Sequence, residues 1–207
     1  MAEEITNIQE QQDSTRVLLA IHKKSGQAFL AVTAEQYASY DKRSWATDAV
    51  IIRDDEDTDL LIALEGVQKT FGEGPADIPA ADKRRKNYVS PQMTIMDGAD
   101  RTAYLYSNHK GDFPDDCALC YCIAKNMFLP AGGEMQKVRD YLDEVNALLD
   151  LAGGSRISGT HWLSTMYSDD YPWHMDVDGN SFGFWLSKEN SLKVRPMGEA
   201  SRYEEIV

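Results

Sequence analysis

Apolar residues in the first third of the chain come in paired runs. Val17-Leu-Leu-Ala-Ile21 and Ala28-Phe-Leu-Ala-Val32 flank Lys23-Lys-Ser-Gly26, and two short apolar runs around a glycine-containing turn predict a β-hairpin. Thr33-Ala-Glu-Gln36 follows. A threonine hydroxyl can accept from a first-turn amide while Gln36 reaches back, so this tetrapeptide predicts a capped helix start. A second apolar pair, Ala49–Ile52 and Leu60–Leu64, brackets the acidic run Asp54–Asp59. That run lacks the spacing and the mid-loop glycine of a calcium-binding EF-hand, so it reads as a solvated hairpin tip that keeps strand edges from aggregating.

Periodicity fades between residues 66 and 114, where glycine and proline are frequent; long irregular connections are expected there, with one short helix around 99–106. Helical spacing returns at Pro114–Lys125, with Asp115 or Asp116 near the positive end of the macrodipole and Cys117, Cys120, Tyr121 and Ala124 on one face. Met135, Val138, Tyr141, Leu142, Val145, Leu148 and Leu149 recur at three and four, predicting a single second helix over 133–151 that stops at Gly153-Gly154. From His161 to Val194, aromatic and polar residues alternate between Gly, Asp and Asn turns, the pattern of short antiparallel strands. The order of elements predicts an α+β domain whose sheet gathers strands from both ends of the chain.

Composition narrows this picture. With 207 residues, 43% of them hydrophobic, one well-filled domain is expected. Residues 1–15 are polar, with Ile5 and Ile8 as apolar anchors, and form an expected arm for particle attachment or oligomerisation. A net charge of -13 opposes binding to nucleic acid, and Lys83-Arg-Arg-Lys86 reads as a solvated loop. Acids stand near the N-terminus where a secretory signal needs basic residues, so ordinary secretion is not expected. No window reaches the roughly 18 apolar residues of a membrane span. The three cysteines all lie within Cys117–Cys122; an odd, clustered set predicts free thiols and a reducing compartment.

Candidate chemistry is sparse. On a helix Cys122 is rotated about 160° from Cys120, so Cys117, Cys120 and Cys122 cannot converge on one tetrahedral ion, and buried small apolar side chains are the expected role. Asp176-Val-Asp-Gly-Asn180 resembles the head of a calcium loop, but Ser187 stands where the closing glutamate belongs; a hairpin turn at Asp178-Gly179 is expected, and no metal. His161, His174, Ser164 and Asp176 lack a nucleophile elbow, and there is no phosphate-cradling or dinucleotide-binding glycine motif. No catalytic residue and no cofactor is assigned. The density of rings from Trp162 to Trp185 predicts a core. Within it, Tyr167, Ser168, Asp169, Asp170, Tyr171, Trp173 and His174 mix rings with short polar side chains, the composition of a surface that stacks on sugars or docks a protein.

The stretch Cys117–Pro196 resembles a bacterial and phage domain family of C-type-lectin-like fold, found also at the C-terminus of collagen-like adhesins and in Bacteroides surface and phage proteins. Cys117 or Cys120 matches the family's cysteine, Met127-Phe-Leu-Pro130 with Glu134-Met135 its Leu-Pro block, and Gly153-Gly154 its glycine pair. His161-Trp-Leu-Ser-Thr-Met-Tyr167 matches its tryptophan block, Pro172-Trp173 its Ala-Trp strand and Lys193-Val-Arg-Pro196 its end. The N-terminal hairpins and Trp45 look like the opening of Bacteroides-type members, so the resemblance covers 16–198, which implies one C-type-lectin-like domain over those residues and a C-terminal tail at 199–207. Leu163, Met166 and Phe128 depart from the pattern, and a lectin's sugar-binding calcium motifs are absent.

The resemblance implies antiparallel strands with two helices and long irregular loops; on their own chemistry Pro130 ends extended chain before a helix, Glu134 acts near that helix's N-terminus and Trp162 anchors a core, so all three read as scaffold. The resemblance also implies a non-enzymatic phage structural or adhesion protein: a head fibre, decoration protein or tail adhesin in the virion. Such a protein would form a homotrimer, hold capsid or tail proteins through its arm and meet a host glycan or protein with its domain. The alternative is an intracellular soluble binding module, or a formylglycine-generating-type oxidase relative with Cys120 and Cys122 catalytic.

Overall fold

A computed structural model describes residues 15–26, 28–54, 59–72, 96–109, 114–168 and 171–205. Both N-terminal hairpins are present. β1 (Arg16–Lys23) pairs antiparallel with β2 (Phe29–Val32) and with β3 (Trp45–Arg53), and β3 pairs with β4 (Leu60–Ala63). Gly26 takes φ +81° in the first turn, a left-handed conformation that glycine adopts without Cβ strain. Between β2 and β3, Thr33 accepts from Gln36 N (3.2 Å) and Gln36 Oε1 accepts from Thr33 N (2.9 Å), which closes the capping box of α1 (Ala34–Ala38).

Two strands from the far end of the chain finish this first sheet. β10 (Met197–Glu199) joins β4 antiparallel and β11 (Glu204–Glu205) joins β2 in parallel, giving the order β10-β4-β3-β1-β2-β11. Residues 199–205 thus pair into the first sheet, whereas the extent of the resemblance implied a separate tail from 199. Edges of a flat six-stranded sheet lie about 24 Å apart, whereas the five steps from Glu199 to Glu204 reach at most about 18 Å. The sheet therefore curls around the crossing segment. Its pairing explains how: Ala31, Ala20 and Ala49 stand in one cross-strand row, and these small side chains face Ala200 and Tyr203 on the crossing segment. The alternate row, Val32-Leu19-Val50-Ile62-Met197, faces the main core.

The second sheet runs β5 (Val67–Thr70), β9 (Ser191–Val194), β6 (Thr160–Met166), β7 (Pro172–Asp176), β8 (Ser181–Gly183). Two features depart from expectation. β5 lies in the stretch read as irregular, because a single partly buried strand beside polar Gln68 and Lys69 carries no long apolar run. β6 and β9 run parallel, not antiparallel, with His161 opposite Lys193. The β7–β8 hairpin forms as expected at Asp178-Gly179, although the left-handed residue is Asn180 (φ +47°). A Cβ at Gly179 would meet Asp176 Oδ2 at 2.7 Å, so close approach is what requires glycine there.

The helices cover both faces of this second sheet. On one side α4 (Gly132–Asp140) and α5 (Leu142–Ala152) bring Met135, Val138, Val145 and Leu149 against the first sheet and against Leu163 and Met175. On the other side α2 (Gly98–His109) and α3 (Ala118–Ala124) enclose Trp162, Met166, Phe71 and Leu129. The predicted single helix over 133–151 is two, broken at Tyr141 (φ -114°, ψ 28°). Charge marks the break: Lys137 and Arg139 end α4, and Asp143 and Glu144 begin α5, each suited to the dipole end it occupies. Gly153 closes α5 in the left-handed region at φ +76°, as its sequence predicts.

α3 starts later than the helix read at 114–125, because Cys117 is its N-cap. Its buried face is Ala118, Leu119 and Cys122, not Cys120, Tyr121 and Ala124. The rims of the acidic run are tied down: Asp54 pairs with Lys137, and Arg53 Nε donates to Asp59 (2.7 Å). Residues 55–58, and the basic cluster 83–86, lie outside the described residues.

Candidate functional site

The Leu-Pro block and the tryptophan block meet in space. Phe128 and Met197 exchange backbone bonds of 2.7 and 3.0 Å, which fixes the Leu-Pro block to the edge of the first sheet. Leu129 N donates to Thr102 Oγ1 of α2 (3.0 Å), and that hydroxyl donates back to Leu129 O (3.3 Å). Pro130 O accepts from Ser164 N of β6 (2.8 Å), and Gly132 N donates to Thr165 Oγ1 (3.3 Å).

Glu134 completes the junction. Its carboxyl, 4% exposed, accepts from Ala131 N (2.6 Å) and Gly98 N (2.9 Å). Those are the N-cap of α4, whose alanine side chain cannot accept, and the first residue of α2, so one carboxyl caps two helices. A Cβ at Gly98 would sit 2.9 Å from Ala131 N, Leu129 O and Glu134 Oε2, which explains the glycine. Burial pushes the Glu134 pKa up to about 7, opposed by the two amides.

Trp162 is fully buried, donates Nε1–H to Lys69 O (3.1 Å) and meets Phe71 and His174 edge-on. Pro130, Glu134 and Trp162 therefore sit at the scaffold positions the sequence suggested. Asn146 does a similar job between α5 and the next loop, bonding both Ile157 N (2.7 Å) and Ile157 O (3.0 Å).

Arg195 has no counterpart in the sequence reading beyond its place in the closing motif. Its guanidinium is buried and donates to Ala63 O (2.9 Å), Leu64 O (2.7 Å), Ser155 O (2.8 Å), Ser155 Oγ (3.1 Å) and Arg156 O (3.4 Å). It ties the first sheet to the loop after α5. Burial lowers its pKa to about 10.

The cysteines are structural in their surroundings. Cys117 Sγ accepts from Cys120 N at 3.1 Å. Burial pushes the Cys117 thiol up to about 12 and the Cys122 thiol upward as well; only Cys120 is partly exposed. Iodoacetamide at neutral pH is therefore expected to label Cys120 alone in the native protein and all three cysteines in denaturant, as peptide mass mapping would show. Native labelling of Cys122 would contradict its placement. Among the described residues no group of three or more His, Cys, Asp or Glu is arranged to hold a metal ion.

The expected recognition segment divides. Tyr167 and Tyr171 are exposed and Ser168 is half-buried, whereas Trp173 and His174 lie in the interior. Period-two alternation in β7 does not rescue them, because both faces of this strand are covered. Asp169 and Asp170, like Ile5 and Ile8 of the arm, lie outside the described residues. Tyr167 stacks on Phe184 at 3.9 Å with planes 17° apart, and Trp173 supports both rings edge-on from below.

Trp185 belongs to the ring-dense stretch whose composition predicts a core, yet it is 66% exposed and packs edge-to-face on His174 at 5.0 Å. It lies over Gly183, where a Cβ would meet its Cη2 at 2.5 Å. That glycine, two residues before a tryptophan, was the available signal. Tyr167, half-buried Phe184 and Trp185 thus form an aromatic face, a continuous run of rings where the chain after β8 meets the end of β6, and exposed Tyr171, whose backbone O accepts from Tyr167 N, lies beside it.

Over part of its length the chain has the fold of a fimbrial protein. The similarity is to a fimbrial protein from Bacteroides ovatus ATCC 8483, with a TM-score of 0.52 and 16% identity, over 67% of this chain and 35% of that one. The chain thus spans about a third of that protein's length, and the likeness is one of fold. No family model matches the chain, and no curated protein does.

Proposed function

We propose that this chain is a non-enzymatic attachment protein whose α+β domain presents the aromatic face around Tyr167 and Trp185 to a partner. That face carries the reading: large rings with few rotatable bonds, exposed together on a braced strand end, suit contact with a sugar ring or a protein surface. The fold likeness to a fimbrial protein supports an adhesin-type role. The finer form of the proposal is a virion component of the C-type-lectin-like family, a head fibre, decoration protein or tail adhesin, trimeric and held through residues 1–15. Support for the family comes from the strand, helix, strand order and from a first sheet that takes strands from both ends of the described chain.

The oxidase alternative needs thiolates at Cys120 and Cys122, and the burial that pushes Cys122 upward works against it.

Trp185→Ala is expected to change folding stability by no more than about 1 kcal/mol while reducing adhesion to host cells or to an immobilised glycan panel at least tenfold. Undiminished adhesion by a Tyr167→Ala, Trp185→Ala double variant would remove the aromatic face from the proposal. Electron microscopy of purified particles tests the virion form; a protein recovered only free in host cytosol argues against it.

A further inference from the structure

At the end of the second sheet opposite the aromatic face, a cavity of about 210 Å³ lies between the starts of β5 and β6, the end of β9 and the loop after α5. Gly66, Ser155, Arg156, His161, Lys193 and Arg195 line it, and no Asp or Glu is among its described lining residues. In a chain of net charge -13, such a concentration of basic side chains is against the overall trend.

Two of these groups are buried with capacity unused. Arg195 is 2% exposed, and its Nε finds no acceptor although its other nitrogens make five bonds. Among the described residues no carboxylate bonds to it; the acid that acts on it electrostatically is Glu65, which is exposed. A buried cation without a counter-ion carries a large desolvation cost. Gly66 leaves the guanidinium edge without a covering side chain: a Cβ there would lie 3.3 Å from Arg195 Nε and 2.9 Å from Val194 O.

His161, also 2% exposed, has Nδ1 3.2 Å from Gly159 O. A carbonyl only accepts, so Nδ1 carries the proton and Nε2 is an acceptor. Lys193 Nζ spends two of its donors on Ser158 O (2.7 Å) and Ser158 Oγ (2.8 Å), keeping a third. Arg156 stands exposed at the rim, its Nη1 on Asp150.

We propose that this cavity binds a hydroxylated carboxylate such as an acidic sugar, with its carboxylate on Lys193 and Arg156 in the field of Arg195 and a ligand hydroxyl donating to His161 Nε2. The donors suit a planar carboxylate because they are few and come from two directions; a tetrahedral oxyanion would ask for more. Burial, with the charges of Arg195 and Lys193, lowers His161 to about 4, which keeps the imidazole an acceptor near neutral pH. The inference does not rest on the attachment reading, since the two surfaces lie at opposite ends of β6.

The test is titration of the full chain at low salt, followed by ¹⁵N amide shifts. The probes are glucuronate, glucose, N-acetylalanine and sulfate. Glucuronate is expected to shift amides at 66–68, 159–161 and 193–195, to bind more weakly as salt rises, and to bind at least threefold tighter than N-acetylalanine, which lacks the hydroxyls. Glucose should leave those amides unmoved. Lys193→Gln should lose at least tenfold in affinity and the exposed Arg156→Gln at least threefold, while Trp185→Ala leaves it unchanged.

The proposal is overturned if glucuronate moves none of those amides, or if folded Arg156→Gln and Lys193→Gln bind it as the wild type does. Binding of sulfate in preference to glucuronate would equally overturn the assignment.

Discussion

Arg195→Leu is expected to destabilise the domain by about 3–5 kcal/mol, a loss in the upper range for single substitutions. Leucine restores much of the volume but none of the donors. Ala63 O would lose the guanidinium in the interior and Leu64 O, Ser155 O and Arg156 O at part-buried positions, Leu64 O keeping its bond from Ser155 N; a buried carbonyl left short costs about 1–3 kcal/mol before relaxation. Arg195→Lys should recover less than half of the loss, because one ammonium cannot reproduce the planar fork that reaches β4 and the α5–β6 loop together. Urea unfolding measures both. A loss below about 1 kcal/mol for the leucine variant would mean that water replaces the guanidinium at this junction.

The second large effect is at Glu134. Removing the side chain in Glu134→Ala leaves Gly98 N and Ala131 N without acceptors at two helix starts, for an expected loss of about 2–5 kcal/mol. Its pH dependence has a definite sign. The native carboxyl titrates near 7 against an ordinary value of 4.5, so between those values the native state holds a proton that the unfolded chain has released. That contribution is fully present below pH 4.5 and is lost as pH rises through 7. The stability difference between wild type and Glu134→Gln should therefore shift against the wild type by about 3 kcal/mol from pH 4.5 to pH 8. His161, depressed from 6.5 to about 4, acts in the opposite direction and loses its contribution as pH falls. Because it is present in both proteins, it cancels in the comparison. A pH-independent difference would place the Glu134 proton elsewhere.

Local signals made the hairpins, the capping box at Thr33 and the left-handed close at Gly153 legible in the sequence, because turn and cap chemistry is set by neighbouring residues. The apolar runs marked β1 and β3 for a different reason: both faces are covered, so these strands need no alternation. Less legible was anything decided by distant partners. β5 is a strand because β9 is beside it, and β11 is one because β2 offers an edge. The face of α3 rotated because Cys117 became a cap instead of a helical residue. In the candidate sites, Pro130, Glu134 and Trp162 could be read as scaffold, yet nothing local announced that Glu134 would reach Gly98, which is 36 residues away. Trp173 and Tyr167 share a segment and a composition; only the packing of the tertiary fold puts Trp173 into the main core and leaves Tyr167 exposed over Phe184. Arg195 stood in plain view as a lone charge between Val194 and Pro196, the sign of a guanidinium with carbonyl partners.

β10 and β11 are both supplied by residues 197–205 and form the two outer strands of the first sheet. During synthesis β1 to β4 can pair as soon as they leave the ribosome, but for well over a hundred further residues both flanks of that four-stranded piece are open. Unpaired flanks of this kind recruit strands from other chains. The nascent protein is thus most exposed to misassembly in the interval before residue 205 emerges, and chaperone dependence should concentrate there. A stop codon before residue 197 would make that transient condition permanent.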